Sequence, residues 1–283
     1  MRKYSIYRTF LLAAAMLLAA TSCVKDELHD TPHPDTGKIT VTADWSDRGN
    51  GVDIPAEWTV AMGDYTGTET GTTHAPDYLF EPGDYTLAAY NTTEGITIDG
   101  TTATITGTPG WLLTSVQEVT VEADTDYELT AAMHQQVRQL TLVLEPTGDA
   151  AGRIKSIEGS LGGAAGTLDF ATGIYGAATD VVLHFTRIAE GDDAGKWTAT
   201  VRLLGITGER QTLTATLTYT DGNPRPCRLE SDLTEALKDF NADKTIPLTL
   251  YGTIAETPDE AGMTAGITDW RPGNNGGEDV DIH

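Results

Sequence analysis

The chain has only two cysteines, Cys23 and Cys227, in 283 residues. That is too few for the disulfide framework that staples small secreted domains. Positive charge is scarce as well: 18 Lys and Arg stand against 42 Asp and Glu, for a net charge of −24. No basic run follows residue 8, and a phosphate backbone is bound through clustered Lys and Arg, so no nucleic-acid partner is expected. The acidic surplus fits a solvated, self-repelling surface. Aromatics are thin, with 5 Phe and 5 Trp, which leaves Val, Ile, Leu, Ala and Tyr to build the core. No apolar run reaches the ~20 residues that cross a bilayer. The phosphate-loop, zinc-protease, nucleophile-elbow and dinucleotide motifs are missing. Neither an enzyme nor a cofactor is expected.

What is present begins at the N-terminus. Residues 1–8 (MRKYSIYR) are basic, residues 9–20 are almost wholly apolar, and Ala20, Thr21 and Ser22 are small. This order is the anatomy of a secretory signal peptide. The small residues before Cys23 resemble the bacterial lipobox, with Ala20 where leucine is common. On that reading residues 1–22 are removed and Cys23 becomes a lipidated N-terminus; an ordinary cleaved secretory peptide is the alternative. Each buried acyl methylene contributes ~0.8 kcal/mol, and more than one chain holds a protein stably on a membrane. Residues 23–37 are polar, carry Pro32 and Pro34, and read as a tether.

From Lys38 the chain alternates. Ile39, Val41, Ala43 and Trp45 are separated by polar residues, the period of a half-buried strand. EWTVAM (57–62), DYTLAAYN (84–91), VQEVTVEA and YELTAAMHQ repeat the pattern, and Asp99-Gly100 in ITIDGTTATIT (96–106) predicts a hairpin. RQLTLVLE opens a second set. RIKSIEGSLGG (153–163) and TLDF (167–170) read as two separate strands. DVVLHFTRI (180–188), WTATVRLLG (197–205), QTLTATLTYT (211–220) and KTIPLTLYG (244–252) follow, with PRPCRLE as a returning partner. Asp232 as cap, Glu235 three later, and Leu233, Leu237 and Phe240 on one face predict one short helix. Threonine beside β-branched residues suits a pleated surface. The expected fold is all-β: a sandwich over 38–134, a second with the helix over 135–270, and a frayed tail over 271–283. Trp270 is expected to be exposed.

Candidates for chemistry are weak. His29 and His33, near Asp30 and Asp35, are the one histidine pair at metal-ligand spacing, and they sit in the tether. No metal site is expected. Cys227 reads as a packed, reduced thiol. Asp192-Asp193 and the Asp124/Asp126 pair read as solvated turn residues. Trp58, Tyr65, Tyr78, Tyr90 and Trp111 read as core residues or as a sugar-stacking platform; the latter would make the chain a surface glycan-binding lipoprotein. A hydrolase would need an opposed acid pair in a cleft.

Several stretches together resemble a known family. A lipoprotein-type start precedes a strand ending in Trp45, then IPAEWTVAMG and YLFEPGDYTLAAYN. RQLTLVLE, RIKSIEGSLGGAAGTLDFATG and a closing ITDWRPG follow. This resembles the fimbrial anchor and accessory subunits of Bacteroidales, the minor-fimbrium anchor lipoproteins related to the fimbrillins, over residues 38–272. The resemblance implies tandem transthyretin-like β-sandwiches, outer-membrane attachment, and assembly with other fimbrial subunits by strand exchange. An exposed edge strand is a ready template for such addition. The candidate segments are 38–45, with Ile39, Val41, Ala43 and Trp45, and 263–270, with Ile267 and Trp270. Lys25, Asp26 and Glu27 resemble the signal beside the acylated cysteine of surface-exposed lipoproteins in this phylum; a generic solvated linker is the alternative. Arg48 is either a processing site or a turn arginine.

Overall fold

The structure, a computed structural model, describes residues 33–148, 151–220, 222, 225–259 and 262–273. Cys23, Lys25, Asp26 and Glu27, with the expected signal peptide and most of the tether, lie outside the described residues, as does the tail beyond 273.

The first strands are β1 (Gly37–Asp44), β2 (Trp58–Met62), β3 (Tyr65–Glu69), β4 (Thr73–His74), β5 (Leu79–Phe80) and β6 (Gly83–Tyr90). They continue with β7 (Ile96–Asp99), β8 (Thr102–Ile105), β9 (Leu113–Val121), β10 (Thr125–Ala132) and β11 (His134–Gln135). The second set opens with β12 (Arg138–Thr147), β13 (Ile154–Asp169), β14 (Ile174–His184), β15 (Thr186–Arg187) and β16 (Trp197–Leu203). It closes with β17 (Thr212–Tyr219), β18 (Cys227–Asp232), the one-turn helix α1 (Thr234–Leu237), β19 (Leu248–Asp259) and β20 (Gly262–Pro272).

These strands make four sheets that pack in pairs. One sheet runs β10-β1-β4, with β5 also on β1, and faces β11-β9-β6-β2-β3. The alternating Ile39, Val41, Ala43 and Trp45 meet Trp58, Val60, Met62, Leu87 and Val119 in the core between them. The other pair is β15-β16-β12-β19-β20 against β18-β17-β13-β8-β7, with β14 on β13. Its core joins Leu140, Leu142 and Leu144 to Ile157, Leu161, Leu213 and Leu217. Each half uses the same device: its first strand pairs in parallel with a late strand, β1 with β10 and β12 with β19. Leu233, Leu237 and Phe240 are buried in the second core, as their shared face predicts.

Three local differences from the expectations have physical causes. The two strands read in 153–170 are one strand, β13, of 16 residues. The strand carries a bulge instead of a break: register shifts between Leu161 and Ala164, and Gly163 sits at φ +81°. A bulge inserts a residue and bends a strand without ending it. Second, the 96–105 hairpin forms, but β8 pairs with β13, so chain from the first half completes a sheet of the second. There Ile96, Ala103, Leu112, Val137, Leu168 and Leu204 form a third apolar cluster that welds the halves together. Third, the end of the tether is folded. His33 is buried, with Nε2 2.7 Å from Asp126 Oδ1 and Nδ1 3.0 Å from the Thr36 carbonyl oxygen.

A candidate assembly interface in the second sandwich

Strand addition requires backbone N–H and C=O groups that the fold leaves unpaired. Among the open edges of the second sandwich, two flank one groove. Among the described residues strand β14 pairs with β13 alone. Strand β16 is paired along its length with β12, but on its other side β15 reaches only Trp197 and Thr198. The edge from Ala199 to Leu203 therefore has no strand partner among the described residues. Both open edges line one groove of about 400 Å³. Buried Ala164, Ala165, Leu203 and Leu204 line it, and Val182, 63% exposed, stands on the β14 side. An apolar trough flanked by two strand edges is the geometry that β-augmentation uses.

The segments picked from sequence sit differently. Strand β1 is interior: eight of its residues pair with β10, and β4 and β5 take the other side. Ile39, Val41, Ala43 and Trp45 are buried. Strand β20 is a sheet edge, paired among the described residues only with β19. Ile267 is buried. Trp270 is half-buried rather than exposed, and its indole Nε1 donates to Ser231 Oγ at 2.8 Å. Ser231 Oγ in turn donates to the Ile267 carbonyl at 3.3 Å, which fastens β20 to β18 across the sandwich rim. Gly252 makes room for the indole, since a Cβ there would lie 3.0 Å from Trp270 Cζ3.

The remaining candidates separate into structural roles. Trp58 is core; Tyr65, Tyr78 and Phe80 stack on one another; Tyr90 packs on Phe170; and Trp111 lies under the Arg202 guanidinium, 5.5 Å from its centroid. The five aromatics do not form one platform. Asp193 accepts from Lys196 Nζ at 2.8 Å and from the Tyr251 hydroxyl at 2.9 Å, which holds its carboxyl below the usual range. Cys227 is buried in the second core. Among the described residues no cluster of three metal-binding side chains occurs. Arg48 donates to the Trp45 carbonyl at 2.7 Å and to Val52 at 3.0 Å, holding its loop as a turn.

A polar clasp at the seam escaped the sequence reading. Gln135 Oε1 accepts from Gly49 N at 2.8 Å, while its Nε2 donates to the carbonyls of Val137 and Lys244. Arg138 donates to the carbonyls of Ile246 and Phe240 and stacks on the Phe240 ring; burial lowers its pKa from the ordinary value. The signal for Arg138 was its parity: it shares the inward face of Leu140, Leu142 and Leu144, where an apolar residue belongs.

Comparison with known proteins agrees with this architecture. No curated protein matches the chain in sequence. A candidate adhesin from Bacteroides ovatus superposes with a TM-score of 0.57 at 17% identity, covering 84% of this chain and 94% of that one. The fimbrial anchor protein Mfa2 from Porphyromonas gingivalis superposes with a TM-score of 0.53 at 15% identity, covering 84% and 97%. At these identities the likeness is one of fold. Residues 59–275 match the family model of the fimbrillin-A associated anchor proteins Mfa1 and Mfa2, a match over most of the chain. This chain therefore belongs to the fimbrillin-A associated anchor protein family.

Proposed function

We propose that this chain is a lipid-anchored, surface-exposed fimbrial subunit that joins other pilins by β-strand exchange and reaches the outer membrane through an acylated Cys23. The observation that carries the assembly half is the pair of unpaired edges, β14 and Ala199–Leu203 of β16, on one apolar groove. Groups left unpaired on both sides of a trough favour an extended segment of another subunit as occupant. Strand β20, at the opposite edge of its sheet, is the segment placed to be donated. Strand β1 is locked on both sides, so its departure is the costlier route. The turn geometry of Arg48 likewise favours the structural reading over cleavage there. Family membership supports fimbrial assembly, and Lys25, Asp26 and Glu27 after Cys23 support the outward-facing leaflet.

Three arms test this. Cys23→Ala releases the protein from membranes; retention overturns the anchor. Val182→Asp puts a charge in the groove at an exposed position, where surface substitutions change stability within about 0.5 kcal/mol. It abolishes copurification of pilin subunits, and intact copurification overturns the groove as acceptor. Thr42 and Thr73 are register partners with hydroxyls 3.1 Å apart. A Thr42→Cys, Thr73→Cys disulfide locks β1, and assembly that survives oxidation eliminates β1 exchange.

A further inference from the structure

We propose that Lys244 is a covalent capture site whose ε-amine forms an imine with a small, hydroxylated aldehyde. Lys244 lies on the seam between the sandwiches and is 7% exposed. Among the described residues its Nζ has one hydrogen bond, to Gln136 Oε1 at 3.1 Å, and it sits 4.9 Å from the Tyr175 ring centroid. Among the described residues no carboxylate pairs with it. A buried ammonium without a counter-charge loses its proton instead of staying charged, and burial lowers this amine to about 7. Lys196 and Lys238 have the opposite environment: Asp193 and Glu235 hold their charge and raise them. Lys244 is thus neutral in a large share of molecules at neutral pH, the condition that activates a lysine nucleophile.

Lys244 lines a cavity of about 540 Å³ together with Gln136 and Tyr175, the two residues that touch its amine, and the other walls include Asp47, His134, Asn241 and Asp243. Burial pushes the Tyr175 phenol up to about 12, so it faces the amine uncharged. Asp243 is held low, first by the Thr245 hydroxyl and further by the Arg138 charge, and Asp47 bonds to His134. These walls accept hydroxyl donors and repel anionic carbonyl compounds, which selects a neutral, hydroxylated aldehyde. In the reaction the nitrogen lone pair bonds to the carbonyl carbon and a carbinolamine forms. The two amine hydrogens then leave with the carbonyl oxygen as water, giving C=N. No oxidant or reductant is consumed.

The test is labelling of the folded chain with glyceraldehyde across pH 5.5–9.5, trapping imines with cyanoborohydride and reading sites by peptide mass spectrometry. Lys38 and Lys155, both exposed, are internal references. Lys244 is expected to label at least about tenfold faster than either at pH 7.5, with a rate midpoint near 7. It should label faster with glyceraldehyde than with anionic glyoxylate, and lose its advantage in urea. A Lys244 rate at or below that of Lys38, or a midpoint above 9, overturns the proposal. Because the comparison is made within one wild-type chain, no variant has to fold for it to be decided.

Discussion

Gln135, in the short segment joining the sandwiches, donates its side-chain amide to the backbone carbonyl of Lys244 at 2.6 Å, 109 residues further along the chain. The same side chain holds Gly49 on the first sandwich. One buried amide therefore ties three segments at the seam.

Gln135→Ala strands the Gly49 amide and the Lys244 and Val137 carbonyls. Leaving a buried polar group unpaired costs about 1–3 kcal/mol, and water entering the vacated space recovers part of it. The expected loss is about 2–4 kcal/mol by chemical denaturation, with hydrogen exchange rising first around residues 49 and 244.

Lys244→Met separates charge from packing. The folded amine, lowered to about 7, lies below the ordinary lysine value near 10.4. The unfolded chain binds the extra proton between these values, so parent stability rises with pH across that window. Methionine removes this rise. The variant is expected to be more stable than the parent at pH 6, by on the order of a few kcal/mol, with the gap closing toward pH 10. Melting curves at pH 6 and 9.5 check the sign.

Gly163→Ala tests the bulge in β13. Gly163 has φ +81°, and an added Cβ would lie 2.6 Å from the Arg210 carbonyl oxygen. Strain and clash together predict a loss of about 1–3 kcal/mol. Gly222, also at positive φ but with open space around it, is the control and is expected to lose less.

His33 gives the N-terminal docking a pH dependence. The Thr36 carbonyl first, then Asp126, raise its pKa above the usual histidine value. A raised base stabilises the fold while protonated, fully below the unfolded pKa near 6.5, and loses that contribution as pH climbs through the folded value. Exchange protection in β1, corrected for intrinsic rates, should fall between pH 5.5 and 8.5. His33→Ala should flatten the difference.

Much of this fold is written in the alternation. Ile39, Val41 and Ala43, or Leu140, Leu142 and Leu144, announce their strands because every second side chain must enter a core. The Asp99-Gly100 turn announces its hairpin for an equally local reason. What the local pattern lacks is the identity of the neighbour: nothing in 96–106 says that β8 pairs with β13, some 65 residues away. The groove was hidden for the same cause, since Ala199 and Val201 alternate identically whether or not their edge is covered. The division of 153–170 into two strands failed because a glycine-rich stretch serves bulges and breaks alike. Gln135 and Lys244 belong to a clasp that exists only once both halves are packed.

The parallel pairing of β1 with β10 bears on how the molecule carries force. With the anchor proposed at Cys23, tension would enter at the start of β1 and leave the first sandwich from the end of β10 on its way to β12. In a parallel pair these are opposite ends, so all eight register positions are loaded together in shear instead of opening one at a time. The β12–β19 pair, with eight positions, repeats the arrangement for a load entering the second sandwich at β12. A subunit wired this way resists being pulled apart along its length far better than being peeled from an edge.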